Sequence, residues 1–289
     1  MALAMPHLDG VEHRYAQVGE LRMHYAEAGD PAAPPLILQH GWPQNWWIWR
    51  ELIGPLSEHY HVVCPDLRGL GWTDAPRRGY EKSQLARDIV GLMDELGLER
   101  VRYIGHDWGG FSGFHACVDF PDRFERFMPL SIPHPWPPEG RPDPRRLLGL
   151  WYQAVLAAPV LGPLAIGKLG FPGQILRKAR VAGEWSEEDL ALYEEAVRRP
   201  GYVSASVQYY RTFLLHEFVP LARGDFREKR LTVPTRLMVG SADTVAKGMG
   251  DSYKPYVDDM EIEVVDGAGH FLPEEKPQVV LERALEFLP

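Results

Sequence analysis

Short apolar runs and segments of helical period take turns along most of this chain. Residues 11–28 alternate apolar and polar positions in two stretches, EHRYAQV and LRMHYAEAG, which predicts two strands joined at Gly19-Glu20. Pro35 to His40 is a continuous apolar run stopped by Gly41, and His61 to Cys64 is another stopped by Pro65-Asp66. Both read as buried strands. Val101–Ile104, Phe127–Ser131, Thr235–Val239 and Glu261–Val265 complete a set of eight expected strands. Between them, Trp49–Glu58, Ser83–Leu96, Phe111–Val118 and Gln278–Leu288 carry apolar residues at helical spacing. Ser83 is the expected N-cap of the second of these and Gly97 its stop.

The alternation breaks once. Residues 133–144 hold six prolines, and from about 145 to 216 the pattern is helical with no strand. Strand–helix alternation then resumes. This predicts an α/β fold: a mostly parallel eight-stranded sheet with helices on both faces, interrupted by a helical cap. The expected division is core 1–134, cap 135–220 and core 221–289.

Composition narrows the function more than the fold. The 289 residues are 45% hydrophobic and 25% charged with a net charge of -9, ordinary values for a globular chain. The acidic balance argues against nucleic acid as a partner. Arg141, Arg145 and Arg146 form the densest basic stretch, and neighbouring acids make it a solvated face. No signal peptide, and no apolar run long enough to span a membrane, is visible, so cytoplasmic residence is the expectation. Cys64 and Cys117 are expected as buried, reduced core residues. No metal or organic cofactor is implied, since HExxH and CxxC spacings are missing and the glycines at 69 and 71 lack the rest of a dinucleotide fingerprint.

The chemistry concentrates in Gly105-His106-Asp107-Trp108-Gly109-Gly110, placed after one strand and before a helix. Small residues there allow the tight turn of a nucleophile elbow, which pushes the side chain at 107 out of the sheet. Three further signals follow the order this arrangement needs. His40-Gly41-Trp42-Pro43 ends an early strand, where a backbone N–H can join that of Trp108 in an oxyanion hole. Asp243 follows the strand ending at Val239, and His270, in Gly267-Ala268-Gly269-His270, follows the last strand. Nucleophile, acid and histidine thus occur in the expected order. Of the 11 histidines only His270 has this placement, and His106 and His115 read as structural.

With HGWPQNWWIWR at 40–50, PDLRGLGWTDAP at 65–76 and GHDWGG at 105–110, the chain resembles the α/β-hydrolase superfamily, and within it the epoxide hydrolase branch, from about residue 12 onward. That branch works through a carboxylate. A carboxylate attacks an sp³ carbon to give an alkyl ester that water can hydrolyse, whereas a serine would form a stable ether. Asp107 is therefore the expected nucleophile and His270 the base for water, oriented by Asp243. Trp42 and Trp108 would stabilise the oxyanion. The resemblance implies two cap tyrosines that assist ring opening, matched by Tyr152 and Tyr210, with Tyr209 as rival to Tyr210. His40, Gly41 and Pro43 are expected beside the substrate. Trp42 and Trp108 are the only tryptophans assigned to the site. The expected partners are an apolar epoxide and water, and the chain is a monomer or a homodimer. A haloalkane or haloacid dehalogenase using the same aspartate is the alternative. It is disfavoured by Trp42, where relatives often carry Asn, and by the lack of Arg after Asp107. A non-catalytic ligand-binding member of the fold is the remote one.

Overall fold

The structure is a computed structural model that describes residues 3–137, 151–246 and 249–289. Pro138, Pro142, Pro144 and the basic stretch at Arg141, Arg145 and Arg146 lie outside the described residues. Eight strands form one sheet: β1 Glu12–Val18, β2 Leu21–Ala28, β3 Pro35–Gln39, β4 His61–Pro65, β5 Val101–His106, β6 Phe124–Leu130, β7 Thr235–Gly240 and β8 Met260–Val265. Their order is β1-β2-β4-β3-β5-β6-β7-β8. β2 runs antiparallel to β1 and β4, and all other pairs are parallel.

The apolar strand runs are explained by burial on both faces. Successive residues of a strand point to opposite sides. Ile37, Val63, Tyr103, Phe127 and Leu237 enter one hydrophobic cluster with residues of α2 Lys82–Glu95 and α3 Trp108–Asp119. Their neighbours Leu36, Val62, Ile104, Met128 and Met238 enter a second, with Trp46, Trp49, Leu52 and Leu56 around α1 Arg50–Ser57. Cys117 lies in the first cluster and Cys64 in the second, both as free thiols.

Two helix starts differ from the sequence expectation. α2 begins at Lys82, not after a Ser83 cap, with Glu81 in the N-cap position and no side-chain cap of its own. The Lys82 N–H is instead satisfied by Glu217 Oε1 at 2.7 Å, 135 residues away. The cap is supplied by tertiary structure, which a local signal cannot show. α3 begins at Trp108 rather than Phe111, taking both glycines into its first turn. A Cβ at Gly109 would lie 2.4 Å from the Gln39 carbonyl oxygen, so glycine there permits a close approach of helix and loop.

Between β6 and β7 the described chain is helical: α4 Trp151–Ala157, α5 Leu161–Gly167, α6 Phe171–Ala179, α7 Glu187–Arg198, α8 Tyr202–Thr212, a π-helical turn Phe213–Glu217 and α9 Phe218–Arg223. Leu156, Ile166, Val197, Val207 and Tyr209 from this insertion join the first cluster. α7 is also held by polar contacts, because Arg50 Nη2 lies 3.1 Å from Asp189 Oδ2 and Trp47 Nε1 donates to Asp189 Oδ1 at 2.6 Å. The chain closes with α10 Leu272–Glu275 and α11 Pro277–Phe287. No helix among the described residues is long and apolar enough to cross a membrane.

Candidate active site

Parallel strands deliver their following loops to one edge of the sheet, so residues far apart in sequence meet there. Asp107 directly follows β5 and occupies the N-cap position of α3, with φ 52° and ψ -121°. A non-glycine residue in that region carries strain on the order of 1–2 kcal/mol. The turn leaves the side chain between two loops. Trp42 N–H donates to Asp107 Oδ1 at 2.9 Å. Trp108 is the first residue of α3, so its backbone N–H has no acceptor within the helix.

On the other side of the carboxylate, His270 Nε2 lies 3.6 Å from Asp107 Oδ2. His270 Nδ1 donates to Asp243 Oδ2 at 3.2 Å. Burial works against a charged imidazole, but Asp243 and Asp107 outweigh it and raise the His270 pKa to about 10. Asp243 moves the opposite way. Burial would raise it, yet His270 and the N–H groups of Val245 and Ala246 hold it below its ordinary value. His106, fully buried, is pushed down to about 4 by burial and by the charge of His270. Its Nε2–H donates to the His270 carbonyl at 2.8 Å, so it has the structural part expected of it.

Two cavities meet at Asp107. One, of about 230 Å³, is bounded by Trp108, Phe111, Tyr152, Tyr210, Phe213 and Met249, among others. The other, of about 290 Å³, is bounded by Trp42, Trp151, Tyr152, Tyr210, His270 and Phe271, among others. Asp107, Tyr152, Tyr210, Thr244 and Val245 border both. The Tyr210 ring stands edge-on to Trp42, with centroids 5.2 Å apart, to Trp108 at 5.7 Å and to Tyr152 at 6.2 Å. Burial raises the pKa of both phenols, so both stay protonated at neutral pH. The two adjacent tyrosines differ in their surroundings. Tyr209 borders neither cavity, and its hydroxyl donates to the Arg68 carbonyl at 2.9 Å.

Three sequence-selected residues sit behind the carboxylate and border neither cavity: His40, Gly41 and Pro43. His40 Nδ1–H donates to the Gly41 carbonyl at 2.9 Å and its Nε2 accepts from Leu67 N–H at 3.1 Å. Gly41 lies against Asp107, and Pro43 follows a cis peptide bond. They shape the loop that carries the Trp42 N–H. The next stretch of that loop is fastened by Asp66, whose carboxylate accepts from Trp46 N–H at 2.8 Å and from Trp72 N–H at 2.9 Å. Burial would raise Asp66, but the His24 ring, whose Nδ1–H donates to Oδ2 at 2.7 Å, holds it well below the usual carboxylate range. The PDL at 65–67 was visible in sequence, without a sign of this anchoring part. The sequence left Trp151 undecided between cavity wall and core, and it gave no sign of the apolar wall formed by Phe111, Phe213 and Met249.

Comparison with known proteins bears on the fold and the family. A family model described as the alpha/beta hydrolase fold matches residues 34–161. The soluble epoxide hydrolase of Corynebacterium sp. (strain C12) is 32% identical, over 96% of this chain and 97% of its own length. The chain belongs to the epoxide hydrolase-like α/β hydrolases. Among solved structures, ligand-free epoxide hydrolase CorEH superposes with a TM-score of 0.86 at 33% identity, covering 96% of this chain and 98% of that one. An epoxide hydrolase from Vigna radiata does so with a TM-score of 0.81 at 29% identity, over 98% and 99% of the two chains. This family member is thus a hydrolase, with the insertion of helices α4–α9 between β6 and β7 of its sheet.

Proposed function

We propose that this hydrolase opens an apolar epoxide to a vicinal diol through an alkyl ester on Asp107. The observation that carries the reading is a carboxylate, not a hydroxyl, at the elbow. One of its oxygens lies against the Trp42 N–H and the other faces His270 across 3.6 Å. Oδ2 attacks a ring carbon in line with the breaking C–O bond, and Tyr152 and Tyr210 donate to the ring oxygen as it leaves. Residues 1–134 and 221–289 supply the nucleophile, acid and base, and residues 135–220 supply the phenols.

The charges balance through both half-reactions. Before substrate binds, the Asp107 carboxylate faces a His270 imidazolium, as the raised His270 pKa of about 10 indicates. Esterification removes the carboxylate charge. The imidazolium loses that support, and its proton replaces the one given to the ring oxygen. Neutral His270, held by Asp243, then takes a proton from water. The hydroxide attacks Cγ of Asp107, and the oxyanion forms on Oδ1, beside the N–H groups of Trp42 and Trp108. Collapse releases the diol and restores the ion pair.

A single turnover in ¹⁸O-water tests this route. The oxygen added to the first diol is expected to come from Asp107, leaving the label in the protein. Label appearing directly in the first diol would instead mean attack by water on the epoxide.

One observation favours a second reading. Among the described residues the buried indole N–H groups of Trp42 and Trp108 have no acceptor in good hydrogen-bond geometry, and both rings flank Tyr210. Two such donors suit a halide leaving group, so a haloalkane would be displaced by the same Asp107. Halide release from a bromoalkane measures that activity.

A further inference from the structure

Glu275 belongs to no step above, yet it is the most heavily solicited carboxylate near the site. It is buried, and among the described residues no cationic side chain lies within ion-pair distance of it. Four backbone N–H groups converge on it instead. Oε2 accepts from Gly269, Val181 and Ala182, each at 2.8 Å, and Oε1 accepts from Phe271 at 2.9 Å. Gly269 and Phe271 are the two neighbours of His270. Val181 and Ala182 follow α6 of the helical insertion. His270 N–H completes the join by donating to the Ala179 carbonyl at 3.1 Å.

The chemistry of the group is specific. Backbone N–H groups that bond an ionised acceptor make stronger bonds than neutral pairs do. Four converging donors need an acceptor-only side chain. An amide would turn its own NH₂ toward at least one of them and leave that N–H unsatisfied in a buried place. The neighbouring Glu274 has a separate task, accepting from Gln44 at 2.5 Å and from the Tyr193 hydroxyl at 3.0 Å.

We propose that Glu275 is the positioning residue of the hydrolytic half-reaction: it seats His270 by gripping both its neighbours, and it makes the 179–182 segment of the insertion part of that seat. The inference rests on the proposed part of His270 as base. Ester formation needs only Asp107 and the phenols, so it does not depend on this clamp. Water activation does.

The test uses the full-length enzyme with Glu275→Gln and, separately, Gly269→Ala. The second variant keeps the Glu275 carboxylate but puts a Cβ 2.5 Å from the Ala179 carbonyl oxygen and 2.9 Å from Glu275 Oε1, forcing the insertion and the His270 loop apart. It also carries the test alone if Glu275→Gln does not fold. Two readouts are taken on each: NMR titration of the His270 ring, and rapid-quench rates of ester formation and hydrolysis with an aryl epoxide. The expected result is a His270 pKa lowered from about 10, with ester formation near the wild-type rate and hydrolysis slowed about a hundredfold, the scale of a misplacement of about 1 Å. An unchanged His270 titration overturns the proposal, as does equal slowing of both steps, which is what a merely structural part would give. If no variant and no wild-type sample forms an ester, the covalent reading fails, while the titration still decides whether Glu275 seats His270.

Discussion

The site has two halves that are built in different ways. The half from the sheet comes from strand ends: Asp107 directly follows β5, Trp42 lies three residues past β3, Asp243 three past β7 and His270 five past β8. Hydrogen bonds fix each of these groups, from Trp42 N–H to Asp107 and from His270 to Asp243. The half from the insertion has no strand end to start from. Tyr152 is the second residue of α4 and Tyr210 lies near the end of α8. Tyr210 is placed by ring packing against Trp42, Trp108 and Tyr152. Its helix is tied to the core by Lys82, whose Nζ donates to the Tyr209 carbonyl at 2.9 Å and lies 4.3 Å over the Trp108 ring. In the proposed route the nucleophile, acid and base thus come from the rigid half. The proposed ring-opening phenols come from the packed half, where Tyr152 and Tyr210 also border both cavities.

That division is broken most severely on the rigid side. Asp107→Asn removes the nucleophile, and turnover is expected to fall by about a millionfold, the scale of losing a nucleophile from a catalytic triad. Steady-state diol formation measures it. Asp243→Asn keeps the shape but loses the charge that orients His270, and a fall of about ten-thousandfold in the hydrolysis step is expected. Rapid-quench kinetics should show ester accumulating in that variant. Tyr210→Phe changes the packed half. Ester formation should slow by about a hundredfold with hydrolysis unchanged.

The pH dependence sharpens the same contrast. In the resting enzyme His270 is raised to about 10 by its two carboxylate neighbours. Once Asp107 is esterified one of these is neutral, so hydrolysis should rise with pH through an apparent pKa below 10. A hydrolysis limb at the resting value would show that the ester does not release the base. The raised resting pKa also contributes to stability below the unfolded-state value of about 6.5, and that contribution fades as pH rises toward 10. Tyr209→Phe should have the smallest effect. It leaves both half-reactions intact and lowers stability by about 1 kcal/mol through the lost bond to the Arg68 carbonyl, read by thermal melting.

The two halves were not equally legible in the sequence. Apolar runs marked inner strands such as β3 and β4, because a strand buried on both faces has little room for polar residues, and alternation marked β1 and β2. Residues that follow such runs were therefore easy to pick out, as with Asp107, Asp243 and His270. On the insertion side helical period gave the type of element and no more. Trp151 was not selected, since nothing local separates a cavity tryptophan from a core one such as Trp49. His40, Gly41 and Pro43 were placed at the substrate because they flank Trp42, whereas the chain turns them behind the carboxylate. Ser83 failed as a cap because the acceptor for the Lys82 N–H arrives from Glu217 in the insertion. For the cap the deciding contact joins segments far apart in sequence.

The most direct test of the account is intact-protein mass spectrometry of His270→Gln after incubation with an aryl epoxide and, in a parallel sample, a bromoalkane. The variant keeps the nucleophile and the phenols but lacks the base. The account predicts an adduct with the full mass of the epoxide, stable over many wild-type turnovers and mapped to Asp107 by peptide digestion. An adduct from the bromoalkane alone, or one mapped to any other residue, would contradict it.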